Sequence, residues 1–289
     1  MEQKLLQLYQ KNTLLSRLAK SKWAPYNRGM YLAIDIGGTK TLIALFSKRG
    51  RVVRRFKFKT AWKKDKFVAD LLQNLEMFKK YDISRVIVAI PGIVQKNCSV
   101  TLGNRDWGEF SLLKDLSNVF SCPIQFENDA SLASIFESYG LKGKTVFLTF
   151  STGIGGGMAT NGVLDKDSAK LEPGHVIYTY NGKEAEWEDI AASSALERVY
   201  HVDAATDLRG KKVMQDVAAR VYLGLPDIIS KYHPDNIVLG GPLGKIFKLY
   251  VKYVPKEPGV KYRRPKRPLE SVIYGCYILA KNQKWFPCP

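Results

Sequence analysis

Two strand–glycine turn–strand elements constrain the fold of this chain more than any other feature. In the first, the apolar run Tyr31–Ile34 leads into Asp35 and a Gly-Gly turn, and a second apolar run reaches Phe46. In the second, the apolar run Thr145–Phe150 leads into Ser-Thr-Gly-Ile-Gly-Gly-Gly and a return strand. Short apolar runs broken by glycines predict strands joined by tight turns. Because glycine lets the backbone approach a ligand closely, and such turns expose N–H groups, both turns suit a phosphate.

The residues of these turns are the first candidates for a binding site. Asp35 stands at the end of the first strand, where we expect a magnesium contact, directly or through water. An ordinary hairpin with a polar turn is the alternative for this stretch, because a lone Gly-Gly turn is weak evidence. The candidate phosphate-binding positions are Gly37, Gly38, Thr39, Lys40, Thr152 and Gly153.

Strands and helices alternate through much of the remaining chain. The apolar spacing of residues 64–80 predicts a helix between strands at residues 51–59 and 85–90, which indicates a crossover unit and a mixed or parallel sheet. A third strand begins at Asn236 and ends in the turn Gly240-Gly241. A further strand is predicted at residues 123–126, and further helices at residues 111–120, 129–138, 211–231 and 269–281.

The composition excludes several classes of protein. With 289 residues, the chain is long enough for two modest domains with cores of their own. The four cysteines show no Cys-x-x-Cys spacing, which argues against a disulfide framework or a zinc knuckle and predicts a reducing, cytoplasmic location. No apolar run is long enough to span a bilayer, so no transmembrane segment is expected, and the N-terminus has no signal-peptide pattern.

The formal charge of +18 predicts attraction to polyanions such as nucleotides, polyphosphate, nucleic acid or an anionic membrane. The alternative is that the charge only favours solubility.

Residues 1–30 are predicted to be a basic N-terminal extension with leucines at roughly helical spacing. The extension is either an amphipathic helix that contacts a membrane or a partner, or a helix or tail that belongs to the main body. We expect residues 1–29 to be dispensable for catalysis. Residues 252–268, rich in Lys, Arg and Pro, predict an extended basic loop that contacts phosphates or simply covers the surface.

The glycine turns, taken in order with several short motifs, resemble the ROK family of repressors, uncharacterised reading frames and sugar kinases. The resemblance covers about residues 31–284 and places the chain in the actin-like ATPase superfamily. The motifs, in chain order, are Asn104…Trp107, Glu127-Asn128-Asp129-Ala130, Glu172-Pro-Gly-His175 and Trp187-Glu188-Asp189.

This resemblance implies an α/β fold of two actin-like ATPase (ribonuclease H-like) domains, with mixed sheets flanked by helices around a cleft. The N-terminal domain is expected at residues 31–125, joined by the C-terminal helix at residues 269–284, and the second domain at residues 126–268. A phosphate chain held between one glycine turn from each domain is the plan of that fold. Gly240 and Gly241 would then lie against the adenosine of ATP.

The implied reaction is transfer of the γ-phosphoryl group of Mg-ATP to a hexose hydroxyl, with O6 of glucose as the expected acceptor. Asp129 follows a short strand and begins a helix, where a carboxylate can be held at a cleft and accept a proton. The resemblance gives Asp129 the role of general base, and the alternative is a residue that merely caps its helix. The sugar contacts implied by the family pattern are Gly92, Asn104, Asn128, Asp129, Glu172, His175 and Glu188.

One departure from the family pattern concerns metal binding. Many ROK proteins follow the Gly-His pair with a CxCGxxGC segment that binds zinc together with the histidine. The matching stretch here, residues 181–188, contains no cysteine. Because structural zinc takes about four N or S ligands and His175 alone remains, we expect no zinc and a histidine free to face the sugar. Packing of Trp187 is expected to order the segment instead.

Several alternatives stay open within the kinase interpretation and beside it. N-acetylglucosamine, N-acetylmannosamine, mannose or fructose could replace glucose, and polyphosphate could replace ATP, because the motifs do not separate these substrates. A homodimer and contacts with polyanions are also open. The competing class is a sugar-responsive transcriptional regulator of the same family. The thirty residues ahead of the first strand are too few for its DNA-binding domain, and Asp129 is present, so we expect an enzyme and no DNA partner.

Overall fold

Each strand–glycine turn–strand element lies within a five-stranded mixed sheet. The structure is a computed structural model and describes residues 29–95, 100–102 and 107–282. Helices flank both sheets, so the predicted α/β fold with two mixed sheets is confirmed. The basic N-terminal extension through residue 28 and the sugar-contact candidate Asn104 lie outside the described residues.

The first sheet has the strand order β3-β2-β1-β4-β7. Strand β1 pairs antiparallel with β2 and parallel with β4, which in turn pairs parallel with β7. Both faces are covered, so Leu32 and Ile34 enter one apolar cluster while Ala33 enters another. Its strands are β1 (Met30–Ile36), β2 (Lys40–Phe46), β3 (Val52–Lys59), β4 (Ile83–Ile90) and β7 (Ile124–Asn128).

The second sheet has the strand order β10-β9-β8-β13-β14. Strand β8 pairs antiparallel with β9 and parallel with β13. Its strands are β8 (Lys144–Phe150), β9 (Ile154–Thr160), β10 (Val163–Leu164), β13 (Asn236–Gly240) and β14 (Lys261–Arg263). Two small antiparallel hairpins complete the strands, formed by β5 (Gly92–Val94) with β6 (Val100–Leu102) and by β11 (Ile177–Tyr180) with β12 (Lys183–Glu186).

The helices of the described residues cover the outer faces of the sheets and fill the space between them. They are α1 (Lys64–Leu75), α2 (Leu113–Val119), α3 (Asp129–Ser138), α4 (Trp187–Ala191), α5 (Ser193–Tyr200), α6 (Lys211–Tyr222), α7 (Leu225–Tyr232), α8 (Phe247–Tyr250) and α9 (Ser271–Asn282). Short 3₁₀ turns span Glu76–Phe78, Ser168–Lys170, Pro173–His175, Pro242–Gly244 and Val251–Tyr253. Within this part of the chain, no helix has the length and apolar character needed to cross a membrane.

Helix α3 is the element shared by the two halves of the molecule. It contacts β8 and β9 of the second sheet, while Leu132 packs with Ala33 of the first sheet and Ile273 of α9. Gly275 brings α9 against α3, because a Cβ atom at this position would lie 1.8 Å from the Leu132 carbonyl oxygen. The close approach fixes the start of α3, and therefore Asp129, relative to both sheets.

The first sheet extends to residue 128 through β7, and α9 packs against this sheet as expected for the C-terminal helix. The division of the chain at residues 125 and 126 stays a prediction.

Two predictions made from the sequence differ from the structure. Residues 211–231 form two helices, because Pro226 lacks a backbone N–H and is accommodated in the first turn of α7. The basic segment 252–268 contains β14, which pairs with β13.

Candidate active site

The two glycine turns face one cleft. This cleft has a volume of about 780 Å³ and is lined by Gly38 and Thr39 from the first turn and by Thr152 from the second. Residues 59–63, Lys66 and Asp70 form the remaining wall. The structure therefore brings together the two turns that the sequence predicts for phosphate, although they are more than a hundred residues apart in the chain.

The first turn is held by the end of β3. The Gly37 N–H donates to the Lys40 carbonyl at 3.1 Å, which closes the turn. The Thr60 hydroxyl donates to the Gly37 carbonyl at 2.8 Å, and the Thr60 N–H donates to the Thr39 carbonyl at 3.0 Å. The buried Thr41 hydroxyl lies 2.9 Å from the Thr60 hydroxyl. The shape of the turn is thus fixed before any ligand binds.

The second turn is held by α5 and by Glu188. The Ser194 hydroxyl donates to the Thr152 carbonyl at 2.7 Å, and the Ser151 N–H donates to the Gly153 carbonyl at 2.9 Å. The Ile154 N–H donates to Glu188 Oε2 at 3.2 Å. A Cβ atom at Gly153 would lie 2.4 Å from that same oxygen. Glycine is therefore required for the Glu188 carboxylate to reach the turn.

Asp35 and Asp129 lie at the carboxyl ends of strands in the first sheet. Asp35 is in β1, and Asp129 follows β7, with β4 between these two parallel strands. Partial burial raises the pKa of Asp35 to about 7, with the charge of Asp129 adding to the rise and Lys57 opposing it. Partial burial also raises the pKa of Asp129 to about 6; the hydrogen bond from the Ala130 N–H opposes this rise and the charge of Glu172 adds to it.

The Asp35 carboxylate is a suitable ligand for magnesium. It has no hydrogen bond or ion pair among the described residues, and burial makes its negative charge unfavourable. Carboxylate oxygens are the protein ligands that Mg²⁺ prefers, and a cation would offset that cost. The position fits the sequence prediction of a magnesium contact at the end of the first strand.

Asn128, and not Asp129, is the N-cap of α3. The Asn128 Oδ1 atom accepts a hydrogen bond from the Ser131 N–H at 3.0 Å, and Nδ2 donates to the Gly92 carbonyl at 3.2 Å. The Asp129 carboxylate accepts a hydrogen bond of 2.7 Å from the Ala130 N–H and keeps further lone pairs for a ligand. Two of the predicted sugar contacts, Gly92 and Asn128, are therefore in direct contact with each other.

A second group of predicted sugar contacts gathers around Glu188. A Cβ atom at Gly174 would lie 2.6 Å from Glu188 Oε2, so the Glu-x-Gly-His segment lies directly against this carboxylate. Desolvation raises the pKa of Glu172. The charge of His175 opposes this rise, and the charge of Glu188 adds to it. The structure thus brings Glu172, His175 and Glu188 together, as the family pattern implies.

Glu186 is a member of this group that sequence reasoning missed. His175 Nδ1 lies 3.0 Å from Glu186 Oε2, and this contact raises the pKa of the imidazole. Ligand atoms of His175, Glu186 and Glu188 all lie within 4.8 Å of one another, so the histidine is not the only potential metal ligand in this region. Structural zinc sites usually have four ligands. The absence of zinc therefore stays a prediction.

The cysteine-free segment is ordered by aromatic residues and carboxylates. Trp187 is fully buried, as expected, and its Nε1 donates to the Arg220 carbonyl at 2.9 Å. On the β11–β12 hairpin, the Tyr178 hydroxyl donates to Asp227 at 2.6 Å and the Tyr180 hydroxyl donates to Asp216. These contacts tie the hairpin to α6 and α7.

The third glycine turn lies at the same sheet edge as the second. Gly240 is paired with Thr149 across β13 and β8. Gly241 has a φ of 68°, and a Cβ atom there would lie 2.4 Å from the Phe150 carbonyl oxygen, so both conformation and space favour glycine. The turn predicted for adenosine is therefore next to the strand that carries the second phosphate turn.

Comparison with known families gives one match that covers most of the chain. A model of the ROK family matches residues 31–267. Among curated proteins, the N-acetylmannosamine kinase of Escherichia coli (strain SMS-3-5 / SECEC) is 34% identical over 155 residues, which are 51% of this chain and 53% of that protein. The N-acetylmannosamine kinase of Salmonella newport (strain SL254) is 33% identical over 155 residues, with the same coverage. The chain thus aligns with about half the length of these curated relatives.

Solved structures agree on the fold. A ROK family glucokinase from Streptomyces griseus, in complex with glucose and AMPPNP, is 20% identical with a TM-score of 0.70, over 88% of this chain and 100% of that one. A ROK family transcriptional regulator, a homologue of the E. coli MLC protein, is 16% identical with a TM-score of 0.73, over 88% and 78%. An inorganic polyphosphate/ATP-glucomannokinase from Arthrobacter sp. strain KM is 21% identical with a TM-score of 0.68, over 88% and 98%.

Proposed function

Since this chain belongs to the ROK family, we propose that it is a sugar kinase that transfers the γ-phosphoryl group of ATP to a sugar hydroxyl. The observation that carries the proposal is the position of Asp129. Its carboxylate lies at the start of α3 with a pKa raised to about 6, and the charge of Glu172 adds to that rise. The next residue, Ala130, lies against Gly155 and Gly157 of β9, the strand that follows the second glycine turn. If Asp129 served only to stabilise the fold, a partly buried carboxylate with an unfavourable charge would bring no advantage at this position.

Asp129 is the proposed general base. The sugar hydroxyl oxygen forms a bond to the γ-phosphorus while the bond to the bridging oxygen of ADP breaks, and the hydroxyl proton passes to Asp129. A pKa of about 6 leaves the carboxylate ionised at neutral pH and makes it a stronger base than an ordinary aspartate. The turns at residues 37–40 and 152–153 bind the phosphates through the N–H groups that the turns do not use themselves, since the Gly37 N–H already donates to the Lys40 carbonyl.

Asp35 is the proposed site of magnesium, alone or through a water molecule. Magnesium supplies charge neutralisation on the phosphates of ATP. The chain itself holds the acceptor sugar: Glu172, His175 and Glu188 present carboxylate and imidazole groups to the hydroxyls, and Asn128 adds an amide. Gly240 and Gly241 lie against the adenosine. Domain closure excludes water, which would otherwise compete as the acceptor.

Two acceptors have support. The family pattern favours O6 of glucose. The curated relatives favour N-acetylmannosamine, because both are named N-acetylmannosamine kinases and are 34% and 33% identical to this chain over the aligned half. N-acetylglucosamine, mannose and fructose share the same hydroxyl-binding chemistry. The donor is ATP, with polyphosphate as the second candidate.

The test is a coupled ADP-release assay over hexoses and N-acetylhexosamines, repeated with polyphosphate as donor and direct detection of the sugar phosphate. We expect ADP release that depends on one sugar and on Asp129, with the Asp129→Asn variant as the control for contaminating kinases. A protein that binds a sugar in calorimetry without phosphorylating any member of the panel, and that retards DNA in a gel, would instead be a regulator. That result would contradict the proposal.

A further inference from the structure

The wall of the cleft beside the first phosphate turn carries lysines that the proposed function has not used. Lys59, Lys63 and Lys66 all line the 780 Å³ cleft, together with a single acidic residue, Asp70. Lys66 pairs with Asp70 at 2.9 Å, so that carboxylate is already neutralised. Within the part of the chain that the structure describes, neither Lys59 nor Lys63 forms an ion pair. The wall therefore carries an excess of positive charge beside the turn.

Lys59 also lies next to a second cation. In the pairing of β2 with β3, Lys59 is directly opposite Lys40, the last residue of the first phosphate turn. Side chains directly opposite on neighbouring strands lie on the same face and close together, and like charges in such a pair are destabilising. Both lysines are exposed, and no carboxylate of the described residues bridges them. An anion bound at the turn would relieve this repulsion.

The backbone of the wall is fixed in place. Thr60 joins the end of β3 to the first turn through its hydrogen bonds to Gly37 and Thr39. Two residues later, the Trp62 carbonyl accepts a hydrogen bond of 2.6 Å from Trp107 Nε1. Lys59 and Lys63 thus extend from a segment anchored at both ends, which limits the order that a ligand must impose on it.

We propose that Lys59 and Lys63 form a cationic wall that binds the phosphoanhydride chain of the phosphoryl donor. The proposal rests on the proposed function, because it takes the glycine turns as the donor site. Lysine is a common phosphate ligand that acts as a point charge, and a cleft lined by one sign of charge concentrates the opposite ion. The chemistry recognised is a chain of linked phosphates, which ATP and inorganic polyphosphate share.

The test is calorimetric binding of ATP, AMP and sodium tripolyphosphate in the absence of sugar, so that no turnover is needed. The variants are Lys59→Gln, Lys63→Gln and the double substitution. The control is Lys212→Gln, which removes an exposed lysine from the start of α6, away from the cleft. Circular dichroism checks that each variant is folded.

We expect the double variant to bind ATP about tenfold more weakly, with a smaller dependence on salt, while AMP changes by less than about twofold. A similar loss for tripolyphosphate identifies the phosphate chain itself as the ligand, and a loss for ATP alone identifies the nucleotide. Lys212→Gln should leave all three unchanged. Unaltered ATP and tripolyphosphate binding in the double variant, or an equal loss for AMP, would overturn the proposal.

Thermal unfolding gives an independent readout. Without ligand, Lys59→Gln should melt at a temperature equal to or about 1–2 °C above that of the wild type, because the repulsion with Lys40 is removed. A lower melting temperature would show that Lys59 stabilises the fold and contradict the cationic-wall assignment. If no sugar is phosphorylated while tripolyphosphate binding still depends on these lysines, the kinase proposal fails, and Lys59 and Lys63 are ligands of a phosphate chain that is not a phosphoryl donor.

Discussion

At the scale of single residues, the proposed phosphoryl transfer depends on the different positions of Asn128 and Asp129 at the start of α3. Asn128 caps α3 and contacts the Gly92 carbonyl, so the helix begins without needing the neighbouring carboxylate as its cap. Asp129 is left at the junction with a raised pKa. A cap residue followed by a charged residue is thus how the strand–helix junction positions the proposed base, Asp129.

The Asp129→Asn variant should lose about 10²–10⁴-fold in turnover while it binds sugar within about tenfold of the wild type, because an amide keeps the shape of the side chain and cannot accept the proton. Steady-state kinetics and calorimetry measure the two effects. The matched control is Asp207→Asn, an exposed aspartate outside the site. A variant that keeps more than about a tenth of the activity would show that Asp129 is not the base.

At the scale of elements, the β11–β12 hairpin and the close contact of α3 with α9 do most to position the site. The hairpin leads directly into Trp187 and Glu188, so its attachment through Tyr178 and Tyr180 determines where the Glu188 carboxylate lies. The contact between α3 and α9 determines where Asp129 lies. Each element makes a prediction of its own.

The hairpin should hold its position without zinc. Tyr178, Tyr180 and Trp187 already tie it to α6 and α7. Among the described residues, the one group that could hold a metal ion, His175 with two glutamates, is one ligand short of the usual four. We expect elemental analysis of the purified protein to find well under one zinc per chain, with a melting temperature unaffected by a chelator. About one zinc per chain, retained through chelation, would contradict this prediction.

Gly275→Ala should destabilise the protein by about 1–3 kcal/mol or more, because the added methyl group would lie 1.8 Å from the Leu132 carbonyl and force α9 away from α3. Urea denaturation measures the change. Asn282→Ala, at the exposed end of the same helix, is the control and should change the free energy of unfolding by less than about 0.5 kcal/mol. Equal effects of the two substitutions would mean that the helices do not pack this closely.

At the scale of the whole molecule, the ionised form of Asp35 lowers the stability of the folded protein. The pKa of Asp35 is raised to about 7 in the folded state from an ordinary value of 3.8, so folding favours the protonated form. Stability is therefore highest below pH 3.8, falls progressively as the pH rises from 3.8 to 7, and loses no more to this group above pH 7. An ionised Asp35 is therefore unfavourable for folding, although the proposed magnesium site requires that form.

Asp35→Asn should therefore stabilise the ligand-free protein at pH 8, by an amount on the order of a few kcal/mol, and have a much smaller effect at pH 5. Melting temperatures of the variant and the wild type at the two pH values measure this. Asp207→Asn should show no such difference between pH 5 and pH 8. A stabilisation by Asp35→Asn that is the same at both pH values would exclude an unfavourable charge as its cause.

The sequence by itself determined the elements and their local chemistry. The helix at residues 129–138 was predicted with the bounds that the structure has, because its strand–helix junction and its apolar spacing are both local signals. The glycine turns and the α/β class could also be predicted from the sequence. Local signals also failed twice: a continuous helical pattern over residues 211–231 hid the break before Pro226, and the basic composition of residues 252–268 hid strand β14.

Only the tertiary structure decided which of these pieces meet. Asp35 and Asp129 lie at the same end of one sheet because β1 and β7 flank β4 in a parallel arrangement, and strand order is not encoded in any short segment. Glu186 joins His175, and Lys59 faces Lys40, through the register of hairpins and neighbouring strands. The raised pKa values follow from burial, which exists only once distant elements pack. Periodicity and turn chemistry act within a few residues, whereas a site is assembled by contacts between residues far apart in the chain.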